Sequence, residues 1–370
     1  MIKDYEFYMR KCIELAKNGE GSVSPNPLVG AVVLDRNNEV AGMGWHEKYG
    51  EAHAEVNAFN NAQQNGTDVS GGTIFVSLEP CSHYGKTPPC ADLIIEKNIK
   101  KAVIGCVDPN PKVDRGGIRK LKAAGIEVIT GVLEDECKRL NEIFMKNQIK
   151  KMPFVSIKTA TTLDGKIATK TGSSKWITSE KARAYVQKLR NKYDAILTGS
   201  GTVISDNPSL TCRMEGENNG RNPVRVVIDS TLKTSPDSKV YNDDGTKVFV
   251  ACADFVSLKE YGDNVEFIKC PLKSDTGKID LKYLCDRLFE KGVMSILVEA
   301  GGQLNGAFLR DSLADKLYQF TAAKILGDNE AKSFVDGYDI KDINDCVKLS
   351  VVSCFALEPD LLIECDIHSI

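Results

Sequence analysis

His53-Ala54-Glu55, followed by Pro80-Cys81 and then Cys90, supplies the residue types that hold a metal ion and move a proton beside it. One imidazole and two thiolates are three protein ligands for zinc, which leaves the fourth tetrahedral position for water, as in catalytic rather than structural sites. Zinc lowers the pKa of its water towards neutrality and so supplies a nucleophile. Expelling an amine also needs a group that carries a proton to the leaving nitrogen. Glu55 meets that need: it lies two residues beyond His53 in a segment, 52–62, expected to be helical, so its carboxylate can reach the metal's water without being a ligand.

The H-x-E…P-C…C pattern is the signature of zinc-dependent nucleobase deaminases, in which the Glu serves as general acid and base. The usual P-C-x-x-C spacing is replaced here by eight residues, 82–89, between the two cysteines. That insertion reads as substrate-contacting structure beside the metal. Two other readings stay open on the residues alone. His53, Cys81 and Cys90 are unrelated buried residues, since free Cys is among the most buried types, or His83 completes a structural metal site.

The elements that must position these groups can be read from the rest of the chain. Its 370 residues suggest two domains, and 42% hydrophobic content is ordinary for globular proteins. Lys plus Arg number 48 against 51 Asp plus Glu, a net charge of −3, so no electrostatic footprint for nucleic acid or a membrane surface is present. Residues 1–6 are polar and charged, no apolar run is long enough to span a bilayer, and twelve cysteines are scattered without short pairings. A cytoplasmic protein with mostly buried thiols is expected.

Up to about residue 145, helix and strand alternate. A helix is expected over 5–17, a hairpin of 28–34 with 39–45 turning at Asn37-Asn38, strands at 73–78, 101–107 and 127–132, and a helix opened by Cys90 behind Pro88-Pro89. This reads as helices sandwiching a mixed sheet. Charged residues dominate 134–151 and the pattern restarts at Pro153, which divides the chain into 1–148 and 149–370. In the second part, strands are expected at 154–159, 195–197, 224–228, 247–251, 265–268 and 295–298, with helices at 180–192 and 281–291, as in an α/β domain with a largely parallel sheet. Residues 316–326 and 347–363 read as closing antiparallel strands. Two glycine-bearing loops, 198–202 and 299–303, each follow an apolar strand, where backbone N–H groups can approach a phosphate. Neither is a G-x-G-x-x-G or Walker loop, so spacing alone stops at a phosphate-bearing ligand.

Several motifs together resemble the bifunctional deaminase/reductase of riboflavin biosynthesis, over nearly the whole chain. In the first half they are Asn26-Pro27-Leu28-Val29-Gly30-Ala31-Val32-Val33, His53-Ala54-Glu55, the run from Leu78 through Cys90, and Asp108-Pro109-Asn110-Pro111. In the second they are Leu163-Asp164-Gly165-Lys166-Ile167-Ala168, Ser174-Lys175-Trp176-Ile177-Thr178-Ser179, Asp206-Asn207-Pro208-Ser209-Leu210-Thr211 and Glu299-Ala300-Gly301-Gly302. The resemblance implies an α/β chain with an N-terminal cytidine-deaminase-like three-layer domain and a C-terminal dihydrofolate-reductase-like α/β domain. It implies zinc and NADPH as cofactors, a pyrimidine ribosylamine phosphate as substrate, homo-oligomers, and neither nucleic-acid nor membrane partners. The alternative is a zinc deaminase of a nucleoside or RNA base with a non-catalytic nucleotide-binding second domain.

Residue by residue, the resemblance makes His53, Cys81 and Cys90 the zinc ligands and Glu55 the proton carrier, with Asn26, His46, Lys86 and Thr87 contacting substrate. In the second domain it puts Ala160, Trp176, Thr202, Asp206, Ser230, Gly301 and Gly302 on NADPH. Ser174, Arg190, Leu210, Arg213 and Glu299 then form the substrate pocket, where an Arg can clamp a phosphate through paired hydrogen bonds. The chain departs from the family pattern at Asp114-Arg115-Gly116-Gly117, where the common form has Gly in place of Arg115, and at Ala300, often Gly.

Overall fold

The computed structural model describes residues 4–82, 84, 88–110, 115–214 and 220–368. The chain divides into two compact units, one ending at Lys151 and the other beginning at Met152.

The first unit runs α1 (Tyr5–Lys17), β1 (Gly30–Leu34), β2 (Val40–Trp45), α2 (Ala54–Gln64), β3 (Thr73–Leu78), α3 (Cys90–Glu96), β4 (Lys101–Cys106), α4 (Gly116–Ala123), β5 (Glu127–Thr130), α5 (Glu134–Leu140) and α6 (Glu142–Lys150). Asp4 caps α1 by accepting from the Phe7 N–H at 3.0 Å, and Met9, Cys12, Ile13 and Ala16 give the helix one buried face. The strands lie in the order β2-β1-β3-β4-β5, antiparallel through β1 and parallel from β3 to β5. Alternate side chains go to opposite faces: Ala31, Val33 and Ile74 pack under α2, α3 and α4, whereas Val32, Leu34 and Phe75 pack under α1 and α5. The expected helix–sheet–helix sandwich is therefore present. The charged stretch 134–151, read only as a boundary, folds as α5 and α6, with Cys137 and Phe144 in the core.

Two close approaches carry the site-bearing elements. A Cβ at Gly44 would stand 2.4 Å from the Ala58 nitrogen, so only glycine lets α2 lie this near β2. At the other side, a Cβ at Gly117 would stand 2.0 Å from the Pro80 carbonyl oxygen, because the start of α4 abuts the segment that carries Cys81. Arg115, just ahead of α4, has φ 56° in the left-handed region. That conformation suits the family's glycine and explains the preference that this chain breaks.

The second unit runs β6 (Phe154–Thr162), β7 (Lys166–Ala168), α7 (Glu180–Lys192), β8 (Ala195–Gly199), α8 (Ser200–Asp206), β9 (Val224–Ile228), β10 (Val248–Ala253), β11 (Val265–Cys270), α9 (Leu281–Glu290), β12 (Ser295–Val298), α10 (Gly302–Arg310), β13 (Lys316–Ala322), β14 (Lys332–Ser333), β15 (Lys348–Leu357) and β16 (Asp360–His368). The large sheet has the order β11-β10-β9-β8-β12-β6-β13-β16-β15, and β11 through β13 are parallel. Chain order reverses between β8 and β12, the kind of switch point where open α/β sheets collect ligands. The expected closing antiparallel strands are present, β13 pairing with β16 and β16 with β15, with two refinements: the other edge of β13 runs parallel to β6, and 347–363 is two strands, β15 and the first part of β16, joined in a hairpin. The two glycine-bearing loops also differ from expectation. Each leads directly into a helix, α8 or α10, whose glycine-rich start hides its helical periodicity.

The abutment of α4 on Pro80 gives a direct test. Gly117→Ala is expected to destabilise the first unit by about 1–3 kcal/mol and to weaken zinc retention by displacing Cys81, as read by thermal denaturation and metal content. An unchanged melting temperature with full zinc would contradict that packing.

Candidate functional site

Three loops and helix starts bring His53, Cys81 and Cys90 together. His53 is the extended residue that precedes α2, Cys81 follows β3 through Glu79-Pro80, and Cys90 is the first residue of α3. His53 Nδ1 lies 3.7 Å from Cys81 Sγ and 3.3 Å from Cys90 Sγ, and the three donor atoms lie within 4.8 Å of one another. Zinc bonds of tetrahedral geometry would set a nitrogen and a sulfur roughly 3.5 Å apart, so the donor set fits the ion. The Cys90 N–H donates to Cys81 Sγ at 3.2 Å. A hydrogen bond from the Cys90 thiol, aided by His53 and by the Cys90 N–H and against the effect of burial, draws the Cys81 thiol down to about 4, while the Cys90 thiol is pushed up because it shares its proton with Cys81. Cys81 is thus the readier of the two to ionise, and both thiols lose their protons on meeting a cation.

Glu55 is 3% exposed in the first turn of α2. Burial, reinforced by the negative charge of Cys81, pushes its carboxyl up. A shift in that direction suits a group that has to take up and release a proton. Glu79 is a residue to which the sequence motif gave no role. Its carboxylate accepts from the Asp108 N–H at 3.3 Å and the Ile118 N–H at 3.2 Å, tying the start of α4 to the metal-bearing segment.

Asn26 and His46 do meet. Asn26 Nδ2 lies 3.1 Å from His46 Nε2, His46 Nδ1 lies 3.0 Å from the Ala52 carbonyl, and the His46 and His53 rings are 5.4 Å apart. Burial lowers the affinity of His46 for a second proton. Lys86, Thr87 and His83 lie outside the described residues.

In the second unit, a cavity of ≈ 1120 Å³ opens at the carboxyl ends of the parallel strands. Ser174, Trp176, Arg190, Thr202, Asp206, Leu210, Arg213 and Glu299, all expected in the site, line it. Ala160, Ser230, Gly301 and Gly302 are not among its lining residues. Gly301 and Gly302 form the start of α10, Ser230 lies just beyond β9, and Ala160 is on β6 two residues from Lys158, which does line the cavity. Eight Lys or Arg side chains line the cavity against three acidic ones, so it favours an anionic ligand.

At its floor, Arg190 forms a two-pronged pair with Glu299, Nε to Oε1 at 2.8 Å and Nη2 to Oε2 at 3.0 Å, while Nη1 donates to the Thr211 carbonyl at 2.9 Å. The Arg190 fork is thereby committed to Glu299. Arg213 has a guanidinium that makes no hydrogen bond or ion pair among the described residues and is better placed to hold a phosphate. Lys158 Nζ stands 3.7 Å from Glu299 Oε2. Burial alone would push the Glu299 carboxyl up, but Arg190 and Lys158 outweigh it and hold it down at about 2. Lys158 goes the other way, pushed down by burial against the pull of Glu299. Sequence reasoning missed Lys158, although a lone lysine inside an otherwise apolar or hydroxyl-bearing strand was the available signal.

Residues 2–106 match the family model described as the cytidine and deoxycytidylate deaminase zinc-binding region, and residues 153–363 match the RibD C-terminal domain. The riboflavin biosynthesis protein RibD of Actinobacillus pleuropneumoniae is 41% identical over 361 residues, 96% of this chain and 94% of that protein. Its counterpart from Bacillus amyloliquefaciens is 42% identical over 358 residues, 96% of this chain and 94% of that one. The crystal structure of a diaminohydroxyphosphoribosylaminopyrimidine deaminase/5-amino-6-(5-phosphoribosylamino)uracil reductase from Thermotoga maritima superimposes with a TM-score of 0.86 at 41% identity, covering 98% of this chain and 99% of that one. With a zinc-binding deaminase unit and a reductase unit both matched across almost their full length, the chain belongs to the RibD family of bifunctional deaminase/reductases of riboflavin biosynthesis.

Proposed function

We propose that the first unit hydrolyses the 2-amino group of 2,5-diamino-6-ribosylamino-4(3H)-pyrimidinone 5′-phosphate, and that the second reduces the ribosyl group to a ribityl chain with NADPH. The observation that carries the first half is the pairing of a three-donor metal set with a buried Glu55 whose carboxyl is pushed up by burial. Zinc, held by His53, Cys81 and Cys90, supplies Lewis acidity towards water. Glu55 accepts a proton from the attacking water and delivers it to the amine nitrogen, which leaves as ammonia. Asn26 holds the pyrimidine, and Lys86 and Thr87 fall to the ribose phosphate.

In the reductase half, NADPH brings the hydride. Trp176, Thr202 and Asp206 at the cavity, with Ala160, Ser230, Gly301 and Gly302 at the adjoining strand and helix ends, hold the cofactor. Ser174, Leu210 and Arg213 hold the sugar phosphate, and Arg190 keeps Glu299 ionised beneath it. Lys158, its proton loosened by burial, donates to the ribose oxygen freed as the ring opens. The match of residues 153–363 to the RibD C-terminal domain disfavours a nucleoside or RNA-base deaminase with a silent second domain. We also read the enzyme as cytoplasmic, in keeping with twelve cysteines that form no disulfide, most of them buried, and as a homo-oligomer.

Zinc-loaded protein given this pyrimidine with and without NADPH tests the assignment. Ammonia in both reactions and NADPH oxidation in one is the expected result, whereas ammonia without NADPH loss would overturn the reductase half. Glu55→Ala is expected to keep its zinc and lower the kcat of ammonia release by roughly 10²-fold or more, with NADPH oxidation on the deaminated pyrimidine retained.

Glu299→Gln leaves Arg190 and Lys158 buried without their counter-charge and is expected to destabilise the second unit by about 3–5 kcal/mol at neutral pH. Because the Glu299 carboxyl is depressed from 4.5 to about 2, its contribution is full above pH 4.5 and is lost as the pH falls towards 2. The gap between wild type and variant, followed by thermal denaturation against pH, should narrow across that window. A gap that widens with acidity would contradict the ion cluster.

A further inference from the structure

Two motifs that the sequence singles out, Leu163-Asp164-Gly165-Lys166 and Ser174-Lys175-Trp176-Ile177-Thr178-Ser179, meet around one exposed indole. Trp176 lines the cavity of the second unit yet is 64% exposed, so core packing does not fix its ring. Two cations hold it instead. Lys324 Nζ donates to the Trp176 carbonyl at 2.9 Å and to the Ile177 carbonyl at 2.8 Å, and Arg183 Nη1 donates to the Thr178 carbonyl at 2.8 Å, so three successive carbonyls are engaged. The Arg183 guanidinium also lies over one face of the indole, 4.5 Å from the ring centroid. It is steadied in turn by α7, which carries it, and by Glu180 Oε1, 3.7 Å from Nη2. Lys324 is anchored from the other motif. The Leu163 N–H donates to the Lys324 carbonyl at 2.7 Å, and the Asp164 carboxylate accepts from the Leu326 N–H at 3.0 Å and the Gly327 N–H at 2.8 Å.

We propose that Arg183 and Lys324 are positioning residues that hold the Trp176 indole as a fixed plate at the edge of the cavity, one face on the guanidinium and the other offered to a flat ring of NADPH. The inference rests on the reading of Trp176 as a cofactor residue given above. An exposed side chain held only by its own bonds changes rotamer within nanoseconds, and a ligand that stacks on it must bear the entropy of stopping that motion. Arg183 and Lys324 remove that cost before the cofactor arrives. Arginine suits the place beneath the ring because its flat guanidinium covers an aromatic face while its N–H groups bond a carbonyl at the edge. Both residues act through Trp176, so their loss belongs in cofactor affinity and not in the turnover of the saturated enzyme.

Two readouts test this on the full-length chain. It has two tryptophans, Trp45 and Trp176, so labelling with 5-fluorotryptophan reads the plate directly, without cofactor. The Trp176 fluorine signal is expected to be broad and displaced from that of the free amino acid. Arg183→Leu and Lys324→Met should each narrow it and move it towards the free position, with the Trp45 signal unchanged. A Trp176 signal indifferent to both substitutions would overturn the positioning role. In NADPH oxidation on the deaminated pyrimidine, Arg183→Leu should raise the KM for NADPH about two- to fivefold, the size of one exposed cation–π contact, with kcat retained. Arg183→Lys, which keeps the cation and loses the fork, should show a smaller rise. Arg183→Leu added to Trp176→Ala should cause no further rise, because both changes remove the same plate. A fall in kcat with KM unchanged, or losses that add to that of Trp176→Ala, would contradict the proposal. A Trp176→Ala chain with an unchanged KM would sink the cofactor reading of Trp176 and the role of the plate with it, a failure told apart because the fluorine signal is measured independently.

Discussion

Everything in the first unit depends on gathering two sulfurs and one imidazole at a single point, where each donor would be unstable without the others. A bare pair of thiolates in a buried site repels itself, and a buried carboxylate beside it adds to the repulsion. The fold offsets this by starting two helices there. His53 immediately precedes α2 and Cys90 opens α3, so the positive ends of two helices face the donors, and the Cys90 N–H reaches the Cys81 sulfur. The burial of that point, together with the negative charge of Cys81 that favours a cation, also raises the affinity of Glu55 for a proton. Metal affinity and the acid–base character of the carboxylate thus have one cause.

The second unit handles charge differently. No metal-type donor cluster occurs there among the described residues, and the organising interaction is the buried Arg190–Glu299 pair with Lys158 alongside. Two cations share one carboxylate, so the floor of the cavity keeps an excess of positive charge even though each ion is partnered. The glycine-rich starts of α8 and α10 stand at the carboxyl ends of β8 and β12, on either side of the point where the sheet order reverses. Cationic side chains and the α8 residues Thr202 and Asp206 line one opening there, a surrounding that favours a phosphate-bearing ligand.

Much of this was legible in the residues. Runs such as Thr73–Leu78, Val224–Ile228 and Ser295–Val298 are mostly β-branched and apolar, with Arg225 the one charged residue among them, and they form strands over those very spans. Glu180–Lys192 likewise shows its helix through Ala182, Val186 and Leu189 at helical spacing. The metal donors were legible because few other reasons place His, Cys and Cys in such a pattern. What stayed hidden depended on tertiary partners. The helices after β8 and β12 begin with residues of poor helix propensity and are stabilised by packing. Nothing local tells that β13 runs parallel to β6, since that direction is set by a connection through α10. That Arg190 lines the cavity while paired with Glu299, more than a hundred residues away, could not be read locally. The partners of His46, Asn26 and the Ala52 carbonyl, could not be read from the sequence either.

The central claim is that the metal in the first unit keeps one position open beside Glu55. Zinc K-edge X-ray absorption on the full-length, zinc-loaded chain tests it most directly. The account predicts two sulfur neighbours at about 2.3 Å, one imidazole nitrogen, and one further light atom without the multiple-scattering pattern of a second imidazole. A second imidazole, or a third sulfur, would close the coordination sphere, leave Glu55 with no water to act on, and contradict the deaminase mechanism.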